Sequence, residues 1–211
     1  MKIINKLWRL KEGAVKTFSL EYREFLKVFP AIDSIEGFLK SPHQEFWFFK
    51  TAWYSTKDAI IVEIGSFKGR STVSFGFACR NTDRHVYAID LFEGDNNIYG
   101  SGDFISDFNR NVSSCGLEPY ITPIKKHSLE VAKSWIKPID ILFIDGSHEY
   151  EDVKDDFNAF YPFVKPGGII ALHDIRGMWD GVVRFWNEVK QQNLLCDIGE
   201  VGSLGYGRKP L

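Results

Sequence analysis

The sequence is poor in cysteine, and that narrows its setting first. Its 211 residues hold three, Cys79, Cys115 and Cys196. They are odd in number and widely spaced, fit neither a CxxC metal pair nor a disulfide framework, and point to a reducing, cytoplasmic compartment. Long apolar runs are also missing. None approaches the roughly 18 residues of a membrane helix, and the N-terminus lacks the continuous apolar stretch and small-residue cleavage site of a secretory signal. Charge of one sign is not in excess either. The 26 Lys and Arg against 28 Asp and Glu leave a formal net charge of -2, which counts against a dedicated nucleic-acid binder. Internal repeats, low-complexity segments and flexible linkers are absent.

What is present is enough for a core. A chain of this length buries roughly 70% of its unfolded surface without needing disulfides or structural metal. The 18 Phe and 6 Trp belong mostly to that core. The near-neutral balance hides an asymmetry. Residues 1–30 carry seven Lys or Arg and three Glu, whereas residues 139–160 carry seven Asp or Glu and one Lys. In the acidic stretch, Glu149, Glu151, Asp152, Asp155 and Asp156 read as the solvated face and favourable N-terminal charges of a helix.

Residues 2–28 have helical periodicity, with Ile4, Leu7, Ala14, Val15 and Phe18 on one face and Pro30 breaking the pattern. Such a helix packs on the domain or on a second copy of the chain, forming a homodimer, or it rests as a basic amphipathic helix on an anionic membrane surface. A second helix starts near Ser41-Pro42, with Ser as N-cap and Pro at the first helical position, and runs through Phe46, Phe49 and Trp53. Residues 1–55 thus form a helical extension or cap, and residues 56–211 an alternating α/β domain. Its strands read as Ala59–Ile64, His85–Asp90, Tyr120–Ile124, Ile139–Ile144 and Ile169–Leu172. Helices at 70–80, 103–115, 128–135, 149–164 and 180–191 intervene or follow, and Gly167-Gly168 stops the fourth. Leu194–Val201 and Leu204–Arg208 read as a closing hairpin. Strands separated by helices imply a Rossmann-like, mostly parallel sheet covered on both faces, to which the hairpin adds an antiparallel strand.

In such a sheet, ligands bind beyond the carboxyl ends of the strands. Here those positions hold Glu63, Gly65, Asp90, Asp145, His148, His173 and Asp174. The first turn, Glu63-Ile-Gly65-Ser66-Phe-Lys-Gly69-Arg-Ser71, is neither GxGxxG nor a phosphate loop. Its glycines admit close approach of a ligand to backbone, and its acid suits a ligand with a positive or hydrogen-donating end. Asp90, ending the second strand, can accept from two ribose hydroxyls. Two other motifs fail. Tyr161 and Lys165 have the YxxxK spacing of short-chain dehydrogenases, but Pro162 and Pro166 interrupt the required helix. His148-Glu149 begins HExxH without a second His.

The run Glu63-Ile-Gly-x-x-x-Gly-x-Ser71 followed by Ile89-Asp90 resembles the cofactor site of class I S-adenosylmethionine-dependent methyltransferases. Asp145-Gly-Ser-His148 and Gly167-Gly-Ile-Ile-Ala-Leu-His173-Asp174 resemble the branch containing catechol O-methyltransferase-like enzymes and macrocin-type sugar O-methyltransferases. The resemblance covers residues 35–210 and implies a seven-stranded sheet with its last strand antiparallel. It implies Glu63, Gly65, Ser66, Gly69 and Ser71 on the methionine side of S-adenosylmethionine, Asp90 on the ribose, and Leu91, Phe92 and Ser128 near the adenine. It implies Asp145 and Asp174 as ligands of a divalent metal, Mg²⁺, with Asp145 also bordering the cofactor, and His148 as general base. His173 departs from the family's usual carboxylate and leaves open whether it binds metal, touches substrate or serves as the base.

The chemistry is consistent with these residue types. Oxygen ligands suit Mg²⁺ better than Zn²⁺, a bound cation acidifies a hydroxyl, and a His accepts its proton. The acceptor would be a hydroxylated small molecule, a sugar, glycoside or other diol, facing loops 92–103 and 175–181 with Tyr99, Phe104, Met178 and Trp179 as walls. Two other readings stand beside it: an oxidising enzyme like the cephalosporin hydroxylases of the same branch, and a non-catalytic cofactor-binding or membrane-interaction protein.

Overall fold

Five apolar segments, each followed by a polar residue or glycine, become the parallel part of a single sheet. The computed structural model describes residues 19–39, 42–93 and 102–211. Its strands are β1 (Ile60–Ile64), β2 (His85–Asp90), β3 (Ile121–Lys125), β4 (Ile139–Ile144), β5 (Val164–Leu172), β6 (Cys196–Val201) and β7 (Leu204–Arg208). They lie in the order β3-β2-β1-β4-β5-β7-β6. The first five pair in parallel, and β7 runs antiparallel to both β5 and β6. The predicted Rossmann-like sheet with an antiparallel closing strand is therefore present. Strand order reverses between β1 and β4, and a crevice opens at such a switch point beyond the strand carboxyl ends.

Helices cover both faces: α1 (Leu20–Asp33), α2 (Pro42–Trp53), α3 (Arg70–Cys79), α4 (Phe104–Ser114), α5 (Ser128–Ala132), α6 (Tyr150–Phe160) and α7 (Asp180–Gln191). Successive strand side chains point to opposite faces. Ile61 accordingly joins Phe25, Phe48, Phe75 and Phe108 under α1 to α4, whereas its neighbour Val62 joins Phe157, Phe185 and Trp186 under α6 and α7. Phe48 of α2 is fully buried, its ring 4.9 Å from that of Phe75 and 4.7 Å from that of Phe143 on β4. Burying each such ring contributes roughly 1.5–3 kcal/mol.

Three sequence expectations are corrected. Pro30 does not end the first helix: α1 continues to Asp33. Pro30 lies on its exposed side, where the carbonyl left without a partner by the missing N–H can be hydrated, while Ile32 beyond it is fully buried and holds the last turn. The helix expected over 149–164 stops at Phe160, because Pro162 tightens the chain into a 3₁₀ turn over Tyr161–Phe163. Gly167 and Gly168 then lie within β5, at a register shift in its pairing with β4, where Gly167 has φ +75°. The helix expected to reach Trp135 ends at Ala132, and the Trp135 indole donates to the Lys137 carbonyl at 2.7 Å. Residues 2–18 of the expected basic helix, and Ser41, lie outside the described residues. Among the described residues, no helix is long and apolar enough to cross a membrane.

Candidate active site

The end of β1 is built around a backbone contact that only glycine permits. Gly65 has φ +84°, and a Cβ there would fall 2.1 Å from the Asp145 carbonyl oxygen and 2.6 Å from the Gly146 nitrogen. The Gly65 N–H donates to Ile89 O at 2.9 Å, and the Asp145 N–H to Ile64 O at 2.8 Å. The missing side chain thus brings the ends of β1, β2 and β4 together. Gly69, φ +90°, opens α3 against the Phe108 ring.

Glu63 does not face the resulting cleft. It is fully buried and accepts hydrogen bonds from the hydroxyls of Ser66 (3.2 Å), Ser71 and Thr72. Burial pushes its carboxyl up to about 7, against the pull of the Ser71 and Thr72 hydroxyls. Its place is underneath the turn, which it pins to the start of α3. Ser66 and Ser71 do line the cleft.

Asp90 organises two loops. Its Oδ2 accepts from the Ser66 N–H at 2.6 Å and the Phe67 N–H at 2.8 Å, and its Oδ1 from the Phe92 N–H at 2.6 Å. Phe67 and Phe92 both have positive φ, +46° and +53°, a strained conformation for bulky residues. The Asp90 carboxylate holds them in it. A carboxylate has about four acceptor positions, so roughly one is left for a ligand. Leu91 lines the cleft and is half-exposed, whereas Phe92 is fully buried against Phe108 and lies outside it.

At the ends of β4 and β5, Asp145, His148 and Asp174 present three donor atoms within 4.8 Å of one another. His148 Nε2 is 3.2 Å from Asp174 Oδ2, and its ring stacks on Trp179 with centroids 4.0 Å apart. His173 packs behind them, with Nδ1 3.2 Å from Asp145 Oδ1 and 3.3 Å from Asp174 Oδ2. Burial disfavours the charged form of His173, but the two carboxylates outweigh it and raise the ring to about 10. Burial likewise acts to raise Asp174, yet the adjacent His148 and His173 hold its carboxyl well below the usual range. The side chains of His148 and His173 are 21% and 2% exposed, so only His148 can meet a ligand substantially.

Ser128, at the start of α5, is buried and donates to the Asp156 carboxylate. Asp156 corrects a further expectation. It is 6% exposed rather than part of a solvated helix face, because it lies on the inner side of α6. Burial raises its carboxyl to about 6, with the Ser128 hydroxyl opposing. Asp152 and Asp155 remain exposed.

The cleft encloses about 520 Å³, and its walls include Phe104, Met178 and Trp179 as well as residues 36–39. Tyr99 lies outside the described residues. The 36–39 segment is tied down by Arg70, which donates to Ile35 O at 2.9 Å and pairs with Asp33 and the buried Glu45. Sequence reasoning missed Gln44 altogether. Its amide on α2 is 3.3 Å from His173 Nε2 and 3.0 Å from Ser203 Oγ. The 129 positions between Gln44 and His173 left no local signal to find.

Comparison with known proteins agrees with this architecture. Residues 62–175 match the model of a family described as a methyltransferase domain. The chain is 27% identical over 135 residues to the y4gI protein of Sinorhizobium fredii, covering 61% of this chain and 15% of that protein. A 45-residue stretch is 42% identical to the demethylmacrocin O-methyltransferase of Streptomyces fradiae, covering 21% of this chain and 11% of that enzyme. The matched stretches thus span under a sixth of the length of either relative. Among solved structures, the fold is similar to an O-methyltransferase from Bacillus cereus in complex with SAH, with TM-score 0.64 and 15% identity, over 95% of this chain and 96% of that one.

Proposed function

The chain belongs to the methyltransferase domain family, and from that premise we propose that it moves the methyl group of S-adenosylmethionine to a hydroxyl oxygen of a small diol, a sugar or glycoside, with the help of a divalent cation. The observation that carries this reading is the convergence of Asp145, His148 and Asp174 at the switch point of the sheet, beside the Gly65 turn. Within that 4.8 Å spread the Asp145 and Asp174 oxygens can share one ion through bonds of about 2.0–2.6 Å, with His148 beside it as the base. Two carboxylates supply the hard oxygen ligands that Mg²⁺ prefers.

S-adenosylmethionine supplies a methyl group already activated on sulfonium. Asp145 and Asp174 would hold Mg²⁺, which when bound would supply positive charge that makes a hydroxyl more acidic. The protein's own residues do the rest. The turn around Gly65 and Ser66, with the remaining acceptor position of Asp90, receives the cofactor. Leu91, Leu129 and Ser128 line the adenine end. Fixing donor and acceptor in line removes much of the entropic barrier. Asp174 orients His148 through Nε2, which leaves Nδ1 as the basic nitrogen. His148 takes the hydroxyl proton as the new C–O bond forms and the S–C bond breaks, leaving S-adenosylhomocysteine. His173, buried behind the carboxylates, positions Asp145 and Asp174 and is not the base. Trp179 and Phe38 supply flat apolar surface for the acceptor.

The test is transfer of radiolabelled methyl from S-adenosylmethionine to a panel of sugar and aromatic diols, with Mg²⁺ and with chelator. The reading expects a product heavier by one methylene and activity lost with chelator. A product heavier by one oxygen would instead indicate the oxidising chemistry.

A further inference from the structure

We infer that Ser203 and Gln44 are positioning residues: from the turn between β6 and β7, and from α2, they fix His173 and the strained backbone that aims the Asp174 carboxylate. The inference rests on reading Asp174 as a cation ligand and as the partner of His148. Asp174 has φ +56°, a left-handed conformation that is uncommon outside glycine and persists only where its surroundings hold it. Contacts on both neighbours do so. Before it, the His173 N–H donates to Ile144 O at 3.1 Å; after it, the Ile175 N–H donates to Ser203 O at 3.1 Å.

Ser203 grips Asp174 from both sides. Its carbonyl takes the Ile175 N–H, and its hydroxyl lies 3.0 Å from His173 Nε2. A hydroxyl both donates and accepts, so this contact holds whichever protons the ring carries. The other ring nitrogen, Nδ1, faces Asp145 Oδ1 at 3.2 Å and Asp174 Oδ2 at 3.3 Å. With Nε2 anchored, the ring is kept turned toward the two carboxylates. Ser203 is held in turn from α2, where Gln44 Nε2 donates to its Oγ at 3.0 Å and to Val201 O at 3.4 Å. Gly202, φ +63°, brings the turn close, since a Cβ there would lie 3.3 Å from Gln44 Nε2.

Packing alone does not account for Gln44. It is 1% exposed, and its Oε1 has no hydrogen-bond partner among the described residues. A buried, unpaired carbonyl is destabilising, and an apolar side chain of similar size would fill the same space without it. What the amide adds is its N–H contact with Ser203, and through Ser203 the hold on His173 and on the backbone around Asp174.

The test titrates the full chain with Mn²⁺, followed by electron paramagnetic resonance, and with S-adenosylhomocysteine, followed by calorimetry. Gln44→Met removes the amide at similar volume, and Ser203→Ala removes the hydroxyl. Each should bind Mn²⁺ about tenfold more weakly than wild type, as loss of a support behind a metal ligand does, with affinity for S-adenosylhomocysteine changed by less than about threefold. The urea midpoint of Gln44→Met should equal or exceed that of wild type, because the unpaired carbonyl leaves with the amide. Wild-type Mn²⁺ affinity in folded Gln44→Met or Ser203→Ala overturns the inference and leaves the cation reading standing. An equal loss of affinity for both ligands makes the role purely structural and overturns it too. If Ser203→Ala fails to fold, Gln44→Met decides alone. If wild type itself binds no Mn²⁺ at millimolar concentration, the cation reading falls, and this inference with it.

Discussion

His148 Nε2 stands 3.2 Å from Asp174 Oδ2, although the two residues come from different loops, after β4 and after β5. This pair joins the two roles assigned to the site, because Asp174 can hold a cation while it orients the ring that accepts a proton.

Replacing His148 with Ala should reduce methyl transfer by about 10²–10⁴, the usual contribution of a positioned general base. Affinity for S-adenosylhomocysteine should change by less than about threefold. Steady-state rates and calorimetry on the same variant separate the two. Retained transfer would return the base to His173 or to the cation alone.

Asp174→Asn removes one of the two carboxylates from the cation site. Titration of Mn²⁺ into the protein, followed by electron paramagnetic resonance, should show binding at least about tenfold weaker than in wild type. Equal binding in both proteins would exclude Asp174 as a ligand.

Gly65→Ala should be severe. Its Cβ falls 2.1 Å from the Asp145 carbonyl oxygen in a backbone with φ +84°, so strain and displacement of the β4 end add. A loss of at least about 2 kcal/mol in denaturant unfolding is expected. Gly116→Ala serves as a control, since that glycine also has positive φ but nothing within 4 Å of the added carbon. It should cost less.

Glu63 gives the fold a measurable pH dependence. Its carboxyl rises from an ordinary 4.5 to about 7 in the folded chain, so folding favours the protonated form. That stabilisation is complete below about pH 4.5, is lost as pH rises toward 7, and levels off above it. Relative to Glu63→Gln, wild type should lose about 3 kcal/mol across this window, at roughly 1.4 kcal/mol per pH unit. Urea unfolding of both proteins at several pH values checks this. A constant difference would contradict the burial of an acid without a counter-charge at Glu63.

Much of the frame was legible in the sequence because a parallel sheet writes itself plainly. Strands such as Ile139–Ile144 are buried on both faces and read as apolar runs, and Asp145 after it marks a strand end. The rest depended on contacts between distant segments. Glu63 looked like a ligand-facing acid, but Ser71 and Thr72 on α3 turn it inward. Asp90 reads in sequence as a ribose acceptor, but that the N–H groups of Ser66, Phe67 and Phe92 take about three of its four acceptor positions shows only in the fold. Asp156 shares its helix with exposed Asp152 and Asp155, and only the contact with Ser128 sets it apart. Pro30 misled because a proline on a helix's wet side breaks less than its chemistry suggests.

The central claim is that the crevice beyond β1, β2 and β4 receives S-adenosylmethionine next to a cation held by Asp145 and Asp174. The most direct measurement is a crystal structure of the full chain grown with S-adenosylhomocysteine and Mn²⁺, using anomalous scattering to locate the metal. The account predicts the nucleoside between Leu91 and Ser128, its sulfur directed toward His148, and an anomalous peak between Asp145 and Asp174. A cleft without nucleoside, or manganese bound away from those two carboxylates, would contradict it.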